Sequence, residues 1–278
     1  MWDAPERNSK ANTGAADETI SMIDHPLVTQ SQEKDVTAVS RFARAAREVT
    51  GVQLAERYRQ ELSAAPKRAQ HDKLYFVGHD GIPGTGDFTN RGEEHLAIAL
   101  FYEYRPPNAG FPLPGGERLA ILDYQFPLKA RQSDRGIGKI DLLGAFPSGR
   151  LCVVELKRIS GSSPETPLRA LLEGLAYAAI VQANIQAIAT EAGGSRGMEL
   201  SHEVPAVMVM APQEYWEYFR NKPQAGTWQA AMQELATRIE DTLGIPVLFL
   251  GLGECVLSLG LRGKRPTLER PLTAHWAL

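Results

Sequence analysis

The chain is poor in cysteine: Cys152 and Cys255 are its only two in 278 residues. Both lie in apolar, strand-like runs. This excludes a disulfide framework and a zinc site built mainly on thiolates, and predicts a reducing, cytoplasmic setting. No apolar run reaches the roughly 18–20 residues that span a bilayer. The opening stretch, MWDAPERNSKANTGAADETI, lacks the apolar centre of a secretory signal, so no membrane partner is expected. Charge of one sign is missing as well. Lys and Arg number 30 against 33 Asp and Glu, a net of −3, which excludes a uniformly basic coat for nucleic acid. A content of 43% hydrophobic and 23% charged residues excludes a disordered or collagen-like chain.

What is present reads as an α/β protein. Residues 1–34 are polar and aperiodic, and are expected as a flexible arm. Residues 35–70 form a helical segment, with Val39, Phe42, Ala46, Val49, Leu54, Tyr58 and Leu62 at helical spacing and a break near Gly51. Such a face suits packing, a second copy of the chain or a protein partner. Residues 71–211 read as the core and 212–278 as a C-terminal α/β extension. Within the core, KLYFVG (73–78) reads as a strand and a Gly-rich loop follows. Asn90 and Glu93 have capping-box spacing, opening a helix that Pro106 stops. Strands are predicted over 118–127, 139–146 and 150–157. Pro167 starts one long helix to about residue 191. A buried strand follows at 204–210. Helices near 213–221 and 227–243, the strand-like runs PVLFLGL and CVLSLGL, and a loop-like tail complete the chain.

The chemistry sits in the middle of this order. Side chains alternate faces along a strand, so Glu155 and Lys157 share a face of an otherwise apolar strand. Asp141 points away from Ile140 and Leu142 on the strand before it. Buried acids are costly unless paired or bound to a cation. A hard divalent ion such as Mg²⁺, with Mn²⁺ as a substitute, answers that need through oxygen ligands, and the Lys can orient a metal-bound water or offset developing charge. Arg169, Glu173 and Tyr177 follow at i, i+4, i+8 along one helical stripe. Upstream, Glu93 and Glu94 open the preceding helix. If Glu93 is used in the cap, Glu94 is left for the site, and Glu94 is the preferred acid.

The stretches RGEEHLAIALF (91–101), GKIDLLGAF (138–146), VVELK (153–157) and LLEGLAYA (171–178) together resemble the PD-(D/E)xK nuclease superfamily, in its RecB-like variant with E-x-x-x-Y after E-x-K. The resemblance spans about residues 90–211. Ile140 stands where many members carry Pro. It implies a restriction-endonuclease-like αβββαβ core with a central mixed sheet, and a metal-dependent nuclease acting on nucleic acid, DNA favoured. It also implies a metal held by Asp141, Glu155, the main-chain carbonyl of Leu156 and Glu94, with Lys157, Glu173 and Tyr177 completing the site. A non-catalytic binding or assembly module, or an RNA nuclease, would carry the same residues. Residues 129–158 hold seven bases against three acids. Arg131, Arg135, Lys139, Arg158 and, on the following helix, Arg169 are therefore expected to contact phosphates.

Overall fold

The computed structural model describes residues 25–83, 92–159, 163–222, 225–258 and 264–278. Its centre is a seven-stranded mixed sheet. The strands are β1 (Phe111–Pro112), β2 (Arg118–Pro127), β3 (Lys139–Ala145), β4 (Leu151–Leu156), β5 (Ala206–Pro212), β6 (Val247–Leu252) and, at the far edge, β9 (Ala274–Trp276). From β1 to β4 neighbours run antiparallel; β4, β5 and β6 are parallel; β9 returns antiparallel to β6. A separate two-stranded ribbon pairs β7 (Leu257–Ser258) with β8 (Thr267–Leu268).

Alternation along the strands divides the core into two layers. Leu142, Val154, Met208 and Leu250 face one way, toward helix α5 (Gly92–Tyr104). Leu143, Val153, Val207 and Phe249 face the other way, toward helix α6 (Pro167–Ala183). Helices from both ends of the chain cover that second face: α1 (Pro26–Ser31), α2 (Lys34–Thr37), α3 (Phe42–Glu48) and α4 (Gly51–Ala64), then α7 (Ile185–Arg196), α8 (Gln213–Arg220) and α9 (Ala225–Leu243). The α/β class, the N-terminal helices and the large mixed sheet agree with the sequence reading. Among the described residues, no single helix is long and apolar enough to cross a membrane.

Several local expectations change. Residues 25–34 are not a loose arm. Buried Glu61 accepts hydrogen bonds from Leu27 N (3.0 Å) and Val28 N (3.3 Å) and contacts His25 Nδ1, pinning α1 onto α4. The break before α4 is a capping box between Thr50 and Gln53. Residues 73–78 form no strand, because the Glu191 carboxylate takes the Tyr75 and Phe76 N–H groups at 2.8 and 2.7 Å in place of a ladder partner. The long helix is two. Asn184 donates from Nδ2 to the Ile180 and Pro66 carbonyls, and α7 leaves α6 at 78°. Of CVLSLGL, Leu257–Ser258 form β7 and residues 259–261 lie outside the described ones; the tail contributes β8 and β9. Asn90, the expected cap, lies outside the described residues.

Candidate functional site

The site is assembled where the antiparallel half of the sheet meets the parallel half. The β3–β4 register pairs Leu142 with Val154, so one rung further on Asp141 stands beside Glu155, on the face toward α6. Here the main-chain ladder gives way to a side chain. Leu156 N donates to Asp141 Oδ2 at 3.0 Å, and Gln125 Nε2 donates to Oδ1 at 3.1 Å. Gln125 is placed by an irregularity: the β2–β3 register shifts between Ile121 and Asp123, and Gln125 itself takes a left-handed φ of 47°. Such a backbone is uncommon for a non-glycine residue and is held only where the surroundings over-determine it.

Glu155 and Lys157 are 2% and 5% exposed, a depth at which ionisable groups occur only with partners. Lys157 N is tied to the Met210 carbonyl at 3.0 Å, extending β4 against β5. Its ammonium lies 3.7 Å from Glu155 Oε2 and 3.2 Å from Glu165 Oε2. Glu155 Oε1 is buried without a hydrogen-bond partner. From α6, Glu173 accepts from Tyr177 Oη at 2.8 Å and meets Arg169 Nη2 at 3.6 Å. Gly174 lets the helix approach: a Cβ there would stand 2.7 Å from Val207 Cγ1 and 3.4 Å from Glu155 Cγ.

The electrostatics follow from this crowding. Burial first, then Asp141, Glu173 and Glu93, hold Glu155 well above the usual carboxylate range, against the pull of Lys157. Burial also pushes Asp141 up to about 7, with Lys157 opposing and Glu93 and Glu173 adding. Burial works against charge on Lys157. Glu155, Glu93, Asp141 and Glu165 outweigh it and keep the ammonium above its ordinary value. Tyr177 is raised by burial and by Glu155 and Glu173, so it acts as a neutral donor.

Of the residues expected from the sequence, Asp141, Glu155, Lys157, Glu173 and Tyr177 come together. The start of α5 adds an acid to them. Glu93 faces the group: its Oε1 accepts from Arg158 N at 3.1 Å, and burial, offset by Lys157, raises it. Arg169 is not an open phosphate contact, since it is bound to Glu165, Glu173 and Gln32. Arg158 packs against the start of α5, its Nη1 reaching the Gly92 carbonyl. Arg131 donates from Nε to His71 at 3.0 Å, while Arg131, Arg135 and Lys139 are all exposed. Gln125 and Glu165 were not anticipated. The only trace of Gln125 in the sequence is a polar residue inside an apolar strand, and Glu165 lies in a loop.

Among the described residues no three acids, histidines or cysteines form a ready-made metal cage. The donor chemistry nevertheless fits a hard cation. Around Glu155 three carboxylates oppose one ammonium, and one buried oxygen is unsatisfied; an oxygen-liganded divalent ion relieves both defects. No family model matches the chain, and no curated protein or solved structure matches it.

Proposed function

We propose that this chain is a metal-dependent nuclease of the PD-(D/E)xK type, hydrolysing phosphodiester bonds of nucleic acid, with DNA the favoured substrate. The order α5–β2–β3–β4–α6–β5 is compatible with the αβββαβ core that the sequence resemblance implies. The observation that carries the reading is the buried Glu155 with an unpartnered oxygen, adjacent to Asp141 and to a charged Lys157. Asp141, Glu155 and the Leu156 carbonyl would hold Mg²⁺, which when bound lowers the pKa of its water and polarises the scissile phosphate. Lys157, kept protonated by its acidic neighbours, offsets the negative charge that grows on the phosphoryl oxygens. Gln125 and Leu156 N hold Asp141 from both oxygens, so its orientation is set before substrate arrives. Tyr177 orients Glu173 in the same way. Exposed Arg131, Arg135 and Lys139 offer backbone phosphate contacts without base readout.

The test is a panel of linear duplex, circular duplex, single-stranded DNA and RNA, incubated with Mg²⁺, Mn²⁺ or EDTA. Wild type is expected to cut DNA only with metal, and Lys157→Ala to lose at least about 100-fold in rate while remaining folded. Absence of metal-dependent cutting, or a Lys157→Ala variant as fast as wild type, overturns the proposal. Cutting of RNA alone overturns the choice of DNA.

A further inference from the structure

The Glu165 carboxylate is gripped by two cations. Its Oε2 lies 3.2 Å from Lys157 Nζ and its Oε1 2.9 Å from Arg169 Nε. The three groups differ sharply in exposure: the side chains of Lys157 and Arg169 are 6% and 15% exposed, Glu165 44%. The cations are built into the protein and the anion is its removable member. Arg169 is fixed from behind by Gln32 at 2.9 Å and Glu173 at 3.6 Å. Glu165 is anchored through its main-chain carbonyl, which accepts from Tyr215 Oη at 2.9 Å, so its carboxylate can swing outward without unravelling the chain. The position immediately precedes Thr166, the N-cap of the 17-residue helix α6, whose dipole adds positive potential there.

We infer that Lys157 and Arg169 form an oxyanion subsite for a phosphate group, and that Glu165 fills it in the resting protein and is displaced when the phosphate enters. A tetrahedral phosphate matches this site because it presents several oxygens and up to two charges where a carboxylate presents two oxygens and one. The inference deepens the nuclease reading, since Lys157 belongs to both, but it is tested without cleavage.

The experiment is titration of inorganic phosphate into the full chain in EDTA, followed by calorimetry and ³¹P NMR. Wild type, Glu165→Gln, Glu165→Ala and Glu165→Gln/Arg169→Met are compared at fixed ionic strength. Both single variants are expected to bind phosphate about tenfold tighter than wild type, the loss of one partly screened competing charge. The double variant is expected to lose that gain. Circular dichroism checks the fold of each, and the two single variants guard against one that fails to fold. Unchanged phosphate affinity in folded Glu165→Gln overturns the inference, as does a gain that survives removal of Arg169. A gain in affinity with no cutting of any nucleic acid supports the subsite while sinking the nuclease. Cutting with unchanged affinity sinks the subsite alone.

Discussion

Asp141→Asn should make the metal-free protein more stable at alkaline pH. The carboxyl is raised from an ordinary 3.8 to about 7, chiefly by burial. An acid whose folded pKa lies above its unfolded value carries no penalty below about pH 4. The penalty then grows as pH rises and is complete once pH passes about 7. Three units correspond to about 4 kcal/mol. Asparagine removes the charge but keeps the shape. One of its two polar atoms can still accept from Leu156 N, and the other must donate, which requires the Gln125 amide to turn over. That rearrangement costs about 1–3 kcal/mol, leaving a net gain of about 1–3 kcal/mol. For a chain of this size, melting should rise by about 2–12 °C at pH 8, with no gain at pH 4.5. The assay is differential scanning calorimetry in EDTA at both pH values. A variant that melts below wild type at pH 8, or a shift of equal size at both pH values, refutes the reasoning. Added Mg²⁺ should then raise wild type and leave the variant where it is, because a ligand stabilises only the state that binds it.

Two further perturbations test the supports of the site. Gly174→Ala inserts a methyl 2.7 Å from Val207 Cγ1, and overpacking of this kind should lower the unfolding free energy, read by denaturant titration, by about 1–3 kcal/mol; Val207→Ala in the same chain should restore part of it, and no loss in the single variant would mean that α6 is not seated on the sheet as described. Glu61→Ala leaves two N–H groups and His25 without their acceptor, which should cost about 2–4 kcal/mol and expose residues 25–34 to limited proteolysis; an unchanged cleavage pattern would refute that anchoring role.

The legible part of this protein was the part governed by local periodicity. Asp141, Glu155 and Lys157 converge because alternation along a strand is fixed at two residues, and the strands were recognisable from their apolar runs. The choice between Glu93 and Glu94 was not legible for a physical reason. Leu96, Ala97, Ile98, Ala99 and Leu100 are all buried in succession, so the middle of α5 has no wet side to reveal its phase. Gln125 depends on a register shift and a left-handed residue, neither of which leaves a pattern in composition. Glu165 sits in a loop, where no period constrains direction. The packing of residues 25–34 was hidden because their anchor, Glu61, lies more than 30 positions away. The break at Asn184 was hidden too: the apolar run continues across it, and one bond that fixes it reaches back to Pro66.

The layer covering the α6 face joins the two ends of the chain. Phe42 of α3 rests 5.7 Å from the ring of Phe219 and 5.8 Å from that of Trp228. Arg238 donates to the Val49 carbonyl at 2.6 Å, and Arg47 to that of Thr227, 180 positions downstream. On a ribosome adding roughly 5–20 residues per second, α3 therefore waits roughly 10–40 s for the surface that shelters it. Throughout that interval the nascent polypeptide presents an uncovered aromatic face. Its vulnerability to self-association is greatest before release, and a holdase acting on the emerging N-terminal third would protect it when no later quality control can.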